Sequence, residues 1–588
     1  MKFQIFINNR DYTSWDFKDV HTETIVDIEK YDYLKNIDPI SNKLFSRDIL
    51  TFNDNNEIVD ISSLVKHTDV IAGILILEGN NTYGRVNNKK MLYKCIPDDK
   101  YLPSFLVPYE LKIGFSKKIL NKYVIFKYNN WNNKHPLGSL VNTLGDVDNL
   151  EVFYEYQLYC KSLCISLNSF TNNTKKVLGK TPHSDFIRQI LNNPNFIIED
   201  RRDRRIITID PSNSVDYDDG LGIEPIMNDL NIQIGWTISI YIANVFVWLE
   251  TLGLWDTFSH RVATIYLPDR KRPMLPTILS DTLCSLQENK ERFALVIDID
   301  VDINGCFTDN FKYKNVLIKP YKNYVYEEKN LIFNEPIYKK IYDVTNLMDK
   351  EINNSYDLVA YWMIYMNALT GINMLNKKVG IFRSVIIQNN NSYSSITDTD
   401  ISLDAKRAIK HWNNISGHYI YYNDNINLNH DLINISQFNN NVQPYIHITS
   451  PIRRIIDLLN QIILFKKFKI VREISLSAQK FVDYWLSKLD YVNTSMRSIK
   501  KIQTDCNLLY NCTNNPIYLD IEHTGIIFDK MKRNNGYYNY TVYLEKLKIM
   551  SKFITALDLP EYSKQNFKLY LFESEEKIKK KIKLQIIL

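Results

Sequence analysis

Glycine and proline are scarce in this 588-residue chain, at 17 and 18 residues, which leaves no room for long disordered tracts. Cysteine is scarcer still. The seven cysteines lie scattered at 95, 160, 164, 284, 306, 506 and 512 with no Cys-x-x-Cys pair, arguing against a disulfide framework or a zinc site. A reducing compartment follows, so an intracellular protein, cytoplasmic or nuclear, is expected. The apolar run near Met1 is too short for a signal peptide. Neither sign of charge dominates: the net charge of +5 is compatible with a polyanionic partner but does not demand one. Residues 231–249 carry no charge, yet they include Asn231, Gln233, Thr237, Ser239 and Asn244 and alternate as Trp236, Ile238, Ile240, Ile242. Period two means a buried strand, whereas a membrane span is apolar all round. A soluble protein with no membrane association is expected. No repeat of fixed period, low-complexity tract or oligomerisation signal is present.

What is present is ordinary globular composition, 45% hydrophobic and 24% charged, in a chain too long for one core. The expected fold class is multidomain α+β: a mixed α/β domain flanked by small OB-type β-barrels. Alternating runs such as Val70–Leu77 and Tyr123–Tyr128, separated by turn signals, make the first 150 residues β-rich. Two barrels over 1–95 and 96–150 are expected, although one β-sandwich would show the same propensity. A helical connection over 151–200 then ends in the basic run 201–205. The principal domain is placed at 201–510, with helices over 356–378, 451–468 and about 475–509. A last barrel is placed at 511–588, closing on a Lys-rich strand over 577–583. The 39 tyrosines and 27 phenylalanines could supply stacking surfaces, but most aromatics fill cores.

The chemistry is concentrated in Ile-Thr-Ile-Asp210-Pro-Ser-Asn-Ser-Val-Asp216-Tyr-Asp218-Asp219-Gly. Four carboxylates this close repel one another unless something positive discharges them. An all-oxygen set suits Mg²⁺, or Mn²⁺, rather than zinc. An EF-hand loop is excluded, because Val215 stands at the obligatory glycine and Leu221 at the bidentate glutamate. A solvated acidic turn fits poorly between the apolar segments Ile206–Ile209 and Leu221–Ile223.

Two further blocks stand out. Tyr445-Ile-His447-Ile-Thr-Ser450-Pro451-Ile-Arg453-Arg454-Ile-Ile-Asp457 predicts a helix starting at Pro451 with Ser450 as its cap. A helix N-terminus plus the Arg453 guanidinium would make a phosphate site, although a capped surface helix with solvated arginines explains the motif as well. Arg261-Val-Ala-Thr-Ile-Tyr266-Leu-Pro268, followed by Pro273-Met-Leu-Pro276 and Leu283-Cys-Ser-Leu286, is a strand and a proline-pinned loop; Tyr266 could stack on a base or merely pack.

Together, in this order and spacing, the three blocks resemble the ribonuclease II (RNB) family of 3′→5′ exoribonucleases. The segment from Tyr123 through Trp131 and His135-Pro-Leu-Gly138 to Asp146 is similar to the second cold-shock domain of the eukaryotic exosome-type ribonuclease. The chain starts near the first barrel, so the N-terminal endonuclease domain of that protein is not expected. The resemblance implies that Asp210, Asp216 and Asp219 bind catalytic Mg²⁺ and that Asp218 is a further essential carboxylate. It implies that Arg453 touches the scissile phosphate and Tyr266 stacks on the terminal nucleotide, with Arg454 and His447 as further RNA contacts. It also implies two-metal hydrolysis of single-stranded RNA to nucleoside 5′-monophosphates. Relatives usually carry other residues at Tyr241, Asn244, Gly220 and Gln461. The alternatives are a catalytically silent RNA-binding scaffold with the same fold and a Mg²⁺-dependent DNA exonuclease.

Overall fold

The computed structural model describes residues 1–587 except 87–89, 112–118, 181, 351, 385–400, 403–404, 407–408, 410–417, 423–443, 534 and 575–579. The chain divides into two compact units. One comprises residues 1–164, 504–523 and 566–588, the other residues 165–503 and 524–565.

In the first unit, Lys2–Ile7, Trp15–Asp19, Ile49–Phe52 and Ile58–Ser62 form a four-stranded antiparallel sheet. Ile71–Leu75, Lys90–Pro97, Phe105–Tyr109, Leu137–Asp146 and Lys122–Asn130 follow one another around a ring that closes when Ile71–Leu75 pairs with both Lys90–Pro97 and Lys122–Asn130. One pairing, Leu137 with Leu106, is parallel and the rest antiparallel, as in a small Greek-key barrel of the OB type. Gly73 permits the tight closure, since a Cβ there would stand 2.8 Å from the Ile96 carbonyl oxygen. The boundary expected at residue 95 therefore falls inside a strand. The sheet and the barrel share one core, in which Phe45 stacks on Phe105 at 5.8 Å and leans on Trp131 at 4.9 Å.

The second unit is built on a seven-stranded mixed sheet. Its order is Ile198–Arg201, Phe307–Ile318, Arg292–Asp302, Gln233–Ala243, Asp219–Met227, Ile207–Asp210, Lys322–Val325. The uncharged stretch is its central strand, with Ile238, Ile240 and Ile242 all fully buried. The helix Ser355–Asn376, capped by Asn354, is long and apolar enough to cross a membrane, but 61% of that stretch is buried as in a core helix. Two sequence expectations shift. The helix expected from 475 to 509 is two helices, Leu476–Leu486 and Leu489–Asn514. The helix expected at Pro451 starts at Ile455, because Arg454 is extended (φ −137°) and bridges Ala263 instead.

The last strands are a meander of Glu522–Lys532, Tyr538–Leu544 and Ile549–Thr555, and a hairpin of Lys564–Glu573 with Lys580–Ile587. All five strands belong to one sheet, and residues 524–565 group with the second unit and 566–588 with the first. Part of the expected Lys-rich strand, residues 577–579, lies outside the described residues.

Candidate active site

The acidic segment is the crossover between two neighbouring strands of the central sheet. Asp210 ends Ile207–Asp210, Asp219 opens Asp219–Met227, and Ile207 pairs with Leu221. Apolar alternation buries the flanks (Ile207 and Ile209 at 1% and 3%), which forces the intervening carboxylates inward. The loop is pinned by the Leu-Cys-Ser-Leu block: Ser285 Oγ accepts from the Tyr217 amide at 3.0 Å and donates to the Val215 carbonyl at 2.9 Å. The Leu286 amide also donates to the Tyr217 carbonyl.

Asp218 is the buried centre of the group, at 3% exposure. Its Oδ1 accepts from the Ile452 amide at 2.9 Å and its Oδ2 from Arg453 Nε at 3.1 Å. Arg453 Nη2 donates to Ser450 Oγ at 2.9 Å, so two edges of the guanidinium are held while 44% of the side chain stays exposed. The whole segment is docked on the Tyr266 strand, for Thr264 N–H donates to the Arg453 carbonyl and Ile455 N–H to that of Val262. The expected phosphate site at a helix tip is thereby corrected. The amide that would have faced a phosphate serves Asp218, and the guanidinium, not a helix terminus, is the group presented.

Burial raises the Asp218 carboxyl to about 7, against the pull of Arg453 and the Ile452 amide. Burial likewise raises Asp219, and it raises Asp210 well above the carboxylate range with the charge of Asp219 adding to it. Asp210 Oδ2 is buried without a hydrogen-bond partner. Asp216 is 9% exposed and paired: Lys271 Nζ lies 3.0 Å from its Oδ1 and the Tyr266 hydroxyl donates to its Oδ2 at 3.2 Å. Lys271 also reaches Asp281 at 2.9 Å.

The all-oxygen donor set, the orphaned Asp210 oxygen and the raised carboxyls of Asp210, Asp218 and Asp219 fit a hard divalent cation. Among the described residues no three His, Cys, Asp or Glu side chains are gathered as a ready ligand set, Asp216 being paired with Lys271 and Asp218 with Arg453.

The structure brings Asp210, Asp216, Asp218, Asp219, Tyr266 and Arg453 together. Tyr266 keeps 39% of its surface exposed while its hydroxyl is tied to Asp216, leaving the ring available for stacking. Arg454 and His447 are tied down instead. Arg454 is ion-paired with the fully buried Asp457 at 2.8 Å, and His447 Nδ1 shares a 2.7 Å hydrogen bond with the Tyr419 hydroxyl.

Sequence reasoning missed Lys271 and Tyr326. Lys271 is the cross-strand partner of Tyr266 in a two-stranded hairpin within the Tyr-Leu-Pro block, a register the spacing Tyr266-x₄-Lys271 allows but does not demand. The Tyr326 amide donates to the Asp210 carbonyl, and its ring meets Tyr356 edge-on at 5.5 Å. No local signal marks it.

The departures from the family pattern have structural roles. Asn244 Oδ1 caps the helix Val245–Thr251 through the Val247 amide, and its Nδ2 donates to Asn315 Oδ1 at 2.9 Å. Gln461 Nε2 donates to the Ala243 carbonyl at 3.0 Å. Gly220 faces the Ile207 carbonyl where a Cβ would stand 3.2 Å away. Tyr241 is buried at 1% exposure.

Residues 198–360 match the RNB domain family. Exoribonuclease 2 of Haemophilus ducreyi is 44% identical over 99 residues, 17% of this chain and 15% of that protein. Ribonuclease R of Thermotoga maritima is 31% identical over 146 residues, 25% of this chain and 20% of that one. The probable exosome complex exonuclease RRP44 of Caenorhabditis elegans is 25% identical over 244 residues, 41% of this chain and 24% of the relative. The chain thus spans only a minor part of each of these relatives. Among solved structures, Mycoplasma genitalium RNase R in complex with ribose-methylated single-stranded RNA superimposes over 100% of both chains with a TM-score of 0.67 at 15% identity. Yeast Ssd1, a pseudonuclease, matches over 87% of this chain and 67% of its own with a TM-score of 0.53 at 14% identity. At such identities the likeness is one of fold. The stretch that matches the RNB domain family, residues 198–360, thus holds all four aspartates and Tyr266, in a chain with the fold of RNase R.

Proposed function

We propose that this protein is a divalent-metal-dependent, hydrolytic 3′→5′ exoribonuclease that shortens single-stranded RNA to nucleoside 5′-monophosphates. The observation that carries the reading is the Asp218–Arg453 pair, a buried carboxylate orienting a half-exposed guanidinium beside three more aspartates. Relatives named exoribonuclease 2 and ribonuclease R, and the structure of RNase R with single-stranded RNA, support it.

A bound Mg²⁺ or Mn²⁺ would be held by Asp210, Asp216 and Asp219, and would supply the charge that makes water nucleophilic and steadies the leaving oxygen. The chain's own residues do the rest. Arg453, clamped through Nε and Nη2, keeps its remaining donors at a fixed angle for a phosphate. Asp218 holds that angle and keeps the Ile452 amide turned inward. Tyr266 offers its exposed ring to the terminal base. The OB-type barrel of the first unit supplies a surface of the kind that tracks single strands with little sequence preference. The free state of all seven cysteines supports an intracellular location, cytoplasmic or nuclear.

A silent scaffold is the second reading, and it has a fold neighbour in the pseudonuclease Ssd1. Retention of four mutually repelling carboxylates around an oriented arginine favours the enzyme, since such a cluster costs stability without a cation. The test is incubation of 5′-labelled single-stranded RNA with Mg²⁺ and with EDTA, beside a deoxyribose strand of the same sequence. Progressive shortening of the RNA only, abolished by EDTA, is expected. Intact RNA that stays bound to the protein in Mg²⁺ would establish the scaffold.

Arg453→Lys tests the clamp. Lysine keeps the charge but loses the planar fork, so kcat is expected to fall by roughly 10²-fold, the scale of one lost transition-state donor. Unchanged kcat in steady-state assays would remove Arg453 from the chemistry.

A further inference from the structure

A second group of cations gathers around Arg383, apart from the Asp218–Arg453 pair. Arg383 is on the strand Ile381–Ser384, where its amide donates to the Tyr445 carbonyl at 2.9 Å and Tyr419 is its partner across the hairpin. The side chain is 5% exposed, and its Nη2 has no hydrogen-bond acceptor among the described residues. Tyr419 and Tyr445, both buried, wall it in; their hydroxyls meet His447 Nδ1 at 2.7 Å and Asn367 Nδ2 at 3.1 Å.

The charges around Arg383 are mostly of its own sign. Arg454 lies within electrostatic reach of it, and so does Lys500, partly buried on the helix Leu489–Asn514. Lys552 adds to the field at Lys500. Two acids face the group. Asp457 is committed to Arg454 at 2.8 Å, and Asp529 acts on Lys500. Burial, then the charge of Arg383, pulls Lys500 down to about 7. A buried guanidinium with an open donor and like charges around it is strongly unfavourable alone, and an anion entering beside it relieves both defects. Arg454, which acts on Arg383, directly follows Arg453, the partner of Asp218, so the two groups of charges share one segment of chain.

We infer that Arg383 and Lys500 form a phosphate pocket that holds a backbone phosphate of a bound RNA strand, apart from the bond that Arg453 and the aspartates address. Only the source of the phosphate rests on the proposed function. The pocket stands on Arg383 itself. The shared chemistry is a phosphate oxyanion, and the two sources are an RNA backbone and a free phosphate or nucleoside monophosphate.

The experiment uses the full chain in EDTA, so that binding is read without cleavage. Fluorescence anisotropy with a labelled single-stranded RNA gives Kd against salt for the wild type, Arg383→Gln and Lys500→Met. Each variant is expected to weaken binding about tenfold and to lower the slope of log K against log salt by about one, as for one lost phosphate contact. A merely structural role would leave that slope unchanged. In parallel, inorganic phosphate is expected to raise the unfolding temperature of the wild type but not of Arg383→Gln. Phosphate protection with unaltered RNA affinity and slope would overturn the backbone assignment in favour of a free phosphate. No protection and no change of slope would overturn the pocket. Should Arg383→Gln fail to fold, Lys500→Met alone decides between these outcomes. Because no arm depends on cleavage, a protein that binds RNA but does not cut it would sink the nuclease reading and leave this result legible.

Discussion

Asp218→Asn is expected to lower the rate of RNA shortening by on the order of 10³-fold while single-stranded RNA still binds. The substitution is nearly isosteric, so the 3%-exposed site keeps its packing and Oδ1 can still accept from the Ile452 amide. The charge is lost, and an amide N–H₂ now opposes Arg453 Nε, donor against donor, where the carboxylate accepted at 3.1 Å. The guanidinium is then released from the angle set by Asp218, with Ser450 Oγ as its remaining side-chain anchor. Stability should hold or rise, because burial makes the ionised carboxylate costly there. Gel assays of 5′-labelled RNA, anisotropy for binding and a thermal unfolding scan separate these effects. A variant that still shortens RNA at more than a tenth of the wild-type rate would show that Asp218 is not essential.

The second large effect is on stability. Arg201→Met is expected to cost about 3–5 kcal/mol, the range for breaking a buried ion pair on one side only. Arg201 is 1% exposed and grips Asp298 with two parallel bonds of 2.7 and 2.6 Å, while its Nε donates to Glu199 at 2.6 Å. Ser239 Oγ completes the shell of Asp298 at 2.7 Å, so strands 198–201, 233–243 and 292–302 are tied through one carboxylate. Removing the arginine leaves that carboxylate 13% exposed and deprived of its bidentate partner.

The pH dependence has a definite sign. Burial opposes the charge of Asp298, but the hydrogen bonds from Arg201 and Ser239 outweigh it and leave the carboxyl below its usual range. A depressed folded value means the contribution is present above the unfolded pKa of about 3.9 and is lost as pH falls below it. Denaturant midpoints at pH 7 and pH 3.5 check this, with the gap between wild type and variant narrowing in acid. The double variant Arg201→Met/Asp298→Leu should recover much of the loss, since an apolar pair leaves no orphaned charge. A single variant within about 0.5 kcal/mol of wild type at pH 7 would refute the account.

The basic run 201–205 shows why a charge pattern is ambiguous in sequence. Arg201 is buried in an ion pair, and Arg205 pairs with Glu335 at 3.0 Å and lies over the Tyr321 ring at 3.8 Å. Partners from 89 to 130 residues away decide the matter, and no local window contains them. Helix starts fail similarly. Ser450-Pro451 is a sound start signal, but the Ile452 amide has a better acceptor in Asp218, 234 residues upstream, and Arg454 an edge to bridge at Ala263. Tertiary partners outbid a local cap whenever they offer a charged acceptor.

By itself the sequence determined the period-two strands, the apolar flanks that bury the Asp210–Asp219 bend, and the three blocks that nominate a nuclease centre. These are local patterns, and periodicity and like-charge repulsion act over a few residues. Only the tertiary structure decided that Asp218 orients Arg453, that Lys271 and Tyr266 converge on Asp216, that Arg454 and His447 are held by protein partners, and that Arg383 is buried with an open donor. The physical reason is shared by all four. Whether a charged side chain faces substrate or protein depends on which group reaches it at about 3 Å, and that distance is set by strands and loops far apart in the chain.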